Sequence, residues 1–126
     1  MPVVFAGHGN PMNALNRESL LARSWRQVAE GMPRPRAIVA VSAHWYIRGT
    51  KVTAMETPRT IYDFGGFPEE LYEIKYPAPG DPALASHLVG LLAPTSVELD
   101  QEWGLDHGTW SVLTHMYPAP TSPSCS

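Results

Sequence analysis

A chain of 126 residues, 44% hydrophobic and 17% charged, has globular composition and room for one domain at most. A formal net charge of −3, with 9 Lys plus Arg spread along the chain, offers no basic surface for nucleic acid. No apolar run reaches the roughly 20 residues of a membrane-spanning helix, the N-terminus has no basic signal-peptide region, and the lone Cys125 rules out an internal disulfide, so a cytoplasmic protein is expected.

In chain order, the apolar run Val3 to Ala6, between Pro2 and Gly7, predicts a fully buried strand. Asn16 is a good N-cap for an amphipathic helix with Leu20, Leu21, Trp25, Val28 and Ala29 on its apolar face, closed by Gly31, Pro33 and Pro35. Ala37 to Val41, β-branched at three of five positions, predicts a second buried strand. Lys51 to Met55 adds a strand, Ile61 to Gly66 reads as irregular, and Pro68 opens a short helix through Leu71 and Tyr72. Asp81 and Pro82 start a helix striped by Leu84, Leu88, Leu91 and Leu92 and ended by Pro94. Val97 to Leu99 is a further strand, and Thr109 to Met116 a further helix. Strand–helix–strand units fold as crossovers between parallel strands, so the expected class is α/β, a central, mostly parallel sheet flanked by helices.

The histidines fall at telling places. His8 follows the first predicted strand in Gly7-His8-Gly9-Asn10-Pro11, and His44 follows the second in Ser42-Ala43-His44-Trp45. Ligands of open α/β sheets bind beyond the carboxyl ends of strands, so two imidazoles delivered there can converge on one ion. Single histidines satisfied by backbone hydrogen bonds are the bland alternative; the pair at equivalent strand ends favours a metal. His107, in Trp103-Gly-Leu-Asp-His-Gly108, lies near a helix start, whose positive end disfavours a protonated imidazole while Asp106 opposes that effect. Either proton transfer or simple helix capping fits it. His115 reads as structural, His87 as a boundary residue of its helix, and Tyr62-Asp63-Phe64 as a turn or a loop over substrate.

Five segments occur together in order: Gly7 to Met12, Ser42 to Trp45, Tyr62 to Pro68, Tyr76 to Gly80 and Asp106 to Gly108. Together they resemble the class III extradiol ring-cleavage dioxygenases, in their DOPA 4,5-dioxygenase-like branch, over residues 2 to 118. The resemblance implies insertion of both atoms of O2 into a catechol-type substrate at a mononuclear non-haem metal. It matches His8 and His44 to metal ligands and His107 to an acid–base histidine, and implies Fe(II) for activity, with Zn(II) possible in isolated protein. The alternatives from other classes are a non-enzymatic binding protein of the same fold and a metal-dependent hydrolase.

Family members are about twice this length, within the ordinary size of a large domain. The resemblance therefore makes residues 1–118 the N-terminal part of one catalytic domain, truncated, with the third ligand and another acid–base histidine in the absent half. Residues 119–126 are expected to be a non-family tail from a one-base frameshift, which converts codons for Asp-Ile-Pro-Val-Val-Gln-Leu into Thr-Ser-Pro-Ser-Cys-Ser and a stop. Weak metal binding and little or no turnover are expected of the chain alone.

Overall fold

A computed structural model describes residues 1–118 and, beyond them, only the backbone of Ser124 and Cys125. The expected tail, 119–126, otherwise lies outside the described residues.

The helices are α1 (Leu20–Glu30), α2 (Glu69–Tyr72), α3 (Pro82–Leu91) and α4 (His107–Met116). The strands are β1 (Ile38–Val39), β2 (Thr50–Thr53), β3 (Arg59–Thr60), β4 (Val97–Asp100), β5 (Gly104–Leu105) and β6 (Ser124–Cys125). All described pairings are parallel: β1 with β6, β2 with β4 and β3 with β5. The class is α/β with parallel strands flanked by helices, hydrogen-bonded as three two-stranded ladders.

Local chemistry explains the helix ends. Ser19, rather than Asn16, caps α1 by accepting Ala22 N at 3.1 Å, while Asn16 closes a preceding turn on Glu18 N at 3.2 Å. Asp81 caps α3 through Leu84 N at 3.0 Å with Pro82 in its first turn. The buried stripe of α1 is Ala22, Trp25 and Ala29, whereas Leu20 and Val28 are exposed. On α3 the buried residue is Ala85, which packs with Val52, Ala54 and Val97 of the β2–β4 region. His87, expected at a boundary, is exposed there, as are Leu91 and Leu92.

The main core gathers Leu71, Tyr76, Leu105, Trp110, Leu113 and Tyr117 around α4, seven of whose residues are buried. The hydroxyl of Tyr76 donates to Tyr117 O at 2.8 Å, tying the end of α4 to the loop before α3; burial pushes that phenol up to about 12.

The first predicted strand is not formed. Residues 3–6 join no ladder, and Val3 and Phe5 are 87% and 101% exposed. An apolar run records a capacity for burial, and burial also requires a neighbouring strand, which no described segment supplies to 3–6. For the same reason Ala37 to Val41 shrinks to the two residues of β1, with Val41 exposed.

His115 is structural, as expected. Its Nε2 lies 2.7 Å from Asn13 O, and its ring stacks on Trp25 at 5.8 Å. Burial lowers its pKa; the bond to Asn13 opposes this, and Arg26 and Arg17 reinforce it. The unfolded chain therefore takes up this proton more readily than the folded one. The stability it contributes is complete above about pH 6.5 and is lost as pH falls below that value. The urea midpoint should drop between about pH 7.5 and 5.5, and His115→Gln should flatten part of that slope. An unchanged slope would refute the assignment.

Candidate metal centre

Three of the five histidines meet. His8 sits on the loop leading to a short turn of 3-10 helix at Pro11–Ala14. Gly9, at φ +65°, turns the chain, and a β-carbon there would come within 3.0 Å of Asn13 Nδ2, which donates to His8 O at 3.1 Å. Asn10 caps the turn through Met12 N at 2.9 Å. His44 follows β1, and Ser42 Oγ accepts its backbone N–H at 3.2 Å. His107 is the first residue of α4.

Asp106, fully buried, ties two of these elements together. Its Oδ1 accepts from Ser42 Oγ at 2.8 Å, from Thr109 N at 3.2 Å and from Thr109 Oγ1 at 3.3 Å. Its Oδ2 accepts from Trp103 Nε1 at 3.3 Å, and Trp103 in turn stacks on Trp45 beside His44. The His44 loop is thus pinned to the helix that starts with His107. Asp106→Ala removes a helix cap and strands several donors, so it should cost about 2–4 kcal/mol of unfolding free energy, measurable by urea denaturation. A loss within measurement error would show that the network carries no load.

The Nε2 atoms of His8 and His44 stand 2.6 Å apart, and one potential ligand nitrogen from each of His8, His44 and His107 lies within 4.8 Å of the others. The ring centroid of His107 is 4.1 Å from that of His44 and 5.0 Å from that of His8. Three nitrogens bound to one ion at about 2.0–2.1 Å sit roughly 3.3–3.5 Å apart in a tetrahedral arrangement. The observed spacings bracket that value. Burial lowers the His8 pKa, and the neighbouring His107 and His44 lower it further, which favours the neutral form a metal requires. His8 Nδ1 is buried without a hydrogen-bond partner among the described residues, leaving Nε2 as the nitrogen turned to the cluster. Imidazole nitrogens in this number suit iron or zinc.

His107 differs from the other two in having a carboxylate. Asp63 Oδ1 accepts its backbone N–H at 3.0 Å and lies 2.8 Å from its Nδ1. Burial opposes ionisation of Asp63, yet these two bonds, together with its own backbone N–H and the charge of His107, outweigh it and hold the carboxyl below its ordinary range. The ring of Phe64 meets His107 edge-on at 5.4 Å. Asp106 therefore caps α4, and the acidic partner of His107 is Asp63, which the sequence alone places in a turn or a loop over substrate. Its place in the segment Tyr62 to Pro68, one of the five that carry the resemblance, was the available signal.

Residues 2–126 match the family model described as the catalytic LigB subunit of aromatic ring-opening dioxygenase. The chain belongs to this family. It is 61% identical over 124 residues to the 4,5-DOPA dioxygenase extradiol of Escherichia coli K12, covering 98% of this chain and 45% of that protein. The 4,5-DOPA dioxygenase extradiol of Beta vulgaris is 42% identical over 127 residues, covering 96% and 47%. The crystal structure of an uncharacterized Escherichia coli K12 protein matches with a TM-score of 0.66 at 53% identity, over 85% of this chain and 39% of that one. This LigB-family chain thus spans about half the length of the curated relatives it matches. No helix among its described residues is long and apolar enough to cross a membrane.

Proposed function

We propose that the chain is the N-terminal, metal-binding part of an extradiol dioxygenase that opens catechol-type rings such as that of DOPA. His8 and His44 hold a non-haem iron(II), and His107 handles a proton of the substrate. The supporting observation is the convergence of these three imidazoles in a chain of the LigB family. Bound iron(II) supplies exchangeable positions where the catechol oxygens and dioxygen meet; zinc fills the same nitrogen site without redox chemistry. With Nδ1 facing Asp63, His107 Nε2 is left to take a proton from a catechol hydroxyl and return it later. Phe64 packs edge-on against the His107 ring and gives it an apolar neighbour. A third ligand and a second acid–base histidine are assigned to the additional length of the relatives, so this chain alone turns over little or not at all.

The test is a chimera joining residues 1–118 to the complementary half of the Escherichia coli relative, loaded with iron(II). It should consume O2 and release a yellow ring-fission product from DOPA, while the chain alone should not. A chimera that binds catechols without O2 uptake would point to a binding protein of the same fold. Hydrolysis with zinc and no O2 uptake would point to a metal-dependent hydrolase.

A further inference from the structure

We infer that Asp63 is a positioning residue whose carboxylate holds His107 as the Nδ1–H tautomer, so that Nε2 presents an unprotonated lone pair toward His8 and His44. The inference rests on the acid–base role proposed for His107 and deepens it by naming what sets the ring's proton.

One oxygen of Asp63 engages both the backbone N–H and the ring Nδ1 of His107. An ionised carboxylate has no proton to give, so the proton in the second bond belongs to Nδ1 and the remaining lone pair to Nε2. The two bonds divide the work. The backbone bond fixes Asp63 relative to the first residue of α4, and the ring bond fixes the rotation of the imidazole. Side-chain exposures of 8% for His107 and 17% for Asp63 limit the competition of water for these bonds.

The segment carrying Asp63 is itself held. Ile61 N donates to Leu105 O at 2.8 Å, Ile61 O accepts Trp110 Nε1 at 2.8 Å, and the Tyr62 hydroxyl donates to Ile74 O. Asp63 thus approaches His107 from an irregular but anchored stretch beside β5 and α4. A purely structural role would be capping alone, and asparagine would serve that as well. Asparagine fails the tautomer role, because its amide can donate to Nδ1 and drive the ring proton to Nε2.

The experiment reads ring-nitrogen chemical shifts of isotope-labelled histidine in the metal-free chain, with His107 identified by the signal lost in His107→Gln. In the wild type, neutral His107 should favour Nδ1–H by about tenfold or more, the factor a charge-assisted hydrogen bond sustains. Asp63→Asn should abolish or reverse that preference, and Asp63→Glu should restore part of it. An Nε2–H His107 in the wild type, or an unchanged preference in Asp63→Asn, overturns the inference. The wild-type measurement does not depend on Asp63→Asn, so misfolding of that variant leaves the inference open to refutation. A zinc titration of the same wild-type chain tests the proposed centre separately. Zinc binding that survives both His8→Ala and His44→Ala, with the Nδ1–H tautomer intact, would remove the metal reading and leave the Asp63 assignment standing.

Discussion

Replacing His44 with alanine should lower the affinity of this chain for zinc or iron(II) by at least about 100-fold, more than loss of an outer hydrogen-bond partner usually costs. The His8 and His44 Nε2 atoms face one another at 2.6 Å, so each supplies one of the two nitrogens proposed to hold the ion. His107 is the remaining imidazole, and its Nδ1 is committed to Asp63. His8→Ala should match His44→Ala, and the double variant should add little, because one ligand already leaves the ion poorly held. His87→Ala is the control, since that residue lies exposed on α3 away from the cluster. Competition titration with a chromophoric chelator gives the affinities. Equal affinity in His44→Ala and wild type would place the bound metal elsewhere and end the proposed centre.

Gly108→Ala should lower metal affinity by about 10–100-fold, the range seen when a ligand's supporting contacts are lost, while changing stability by only about 1 kcal/mol. A β-carbon at Gly108 would lie 2.7 Å from His44 Cδ2, 3.0 Å from Ser42 Oγ and 3.3 Å from Asp106 Oδ1. The two closest neighbours are side-chain atoms, and His44 is exposed, so the clash is relieved by rotating the imidazole outward. That movement costs the fold little and takes the nitrogen out of reach of the ion. Gly104 sets the contrast. Its added β-carbon would sit 2.4 Å from Arg59 O, a backbone atom of the β3–β5 ladder, which cannot rotate away. Gly104→Ala should therefore destabilise the whole chain, and Gly108→Ala should affect chiefly the metal. Paired urea denaturation and metal titration separate the two. A Gly108→Ala chain that binds metal like the wild type would show that His44 is not held where the geometry places it.

Much of the site was legible because its histidines punctuate the chain at recognisable places. His8 and His44 each follow an apolar run, and His107 stands beside an acidic cap at the start of a helix. The strand before His8 was over-read: residues 3–6 are apolar enough for a core, yet no described segment pairs with them. Asp63 was missed for the opposite reason. A carboxylate in an irregular stretch has no periodicity, and its partner lies 44 residues away. Asp106 was read only for its charge beside His107; its bonds to Ser42, Trp103 and Thr109 went unseen, since adjacency in sequence says nothing about which oxygen reaches which donor.

The amino-acid order by itself determined composition class, the Asp81–Pro82 helix start, the strand–helix alternation and the positions of three candidate imidazoles. Each of these depends on interactions within a few residues or on a repeating pattern. Tertiary structure alone decided which nitrogens face one another, which acid meets His107 and what a side chain at residue 108 would displace. Those outcomes rest on contacts spanning 36, 44 and 64 residues, from His8 to His44, Asp63 to His107 and Ser42 to Asp106. Contacts at such separations depend on how whole elements pack, and no local pattern records that packing.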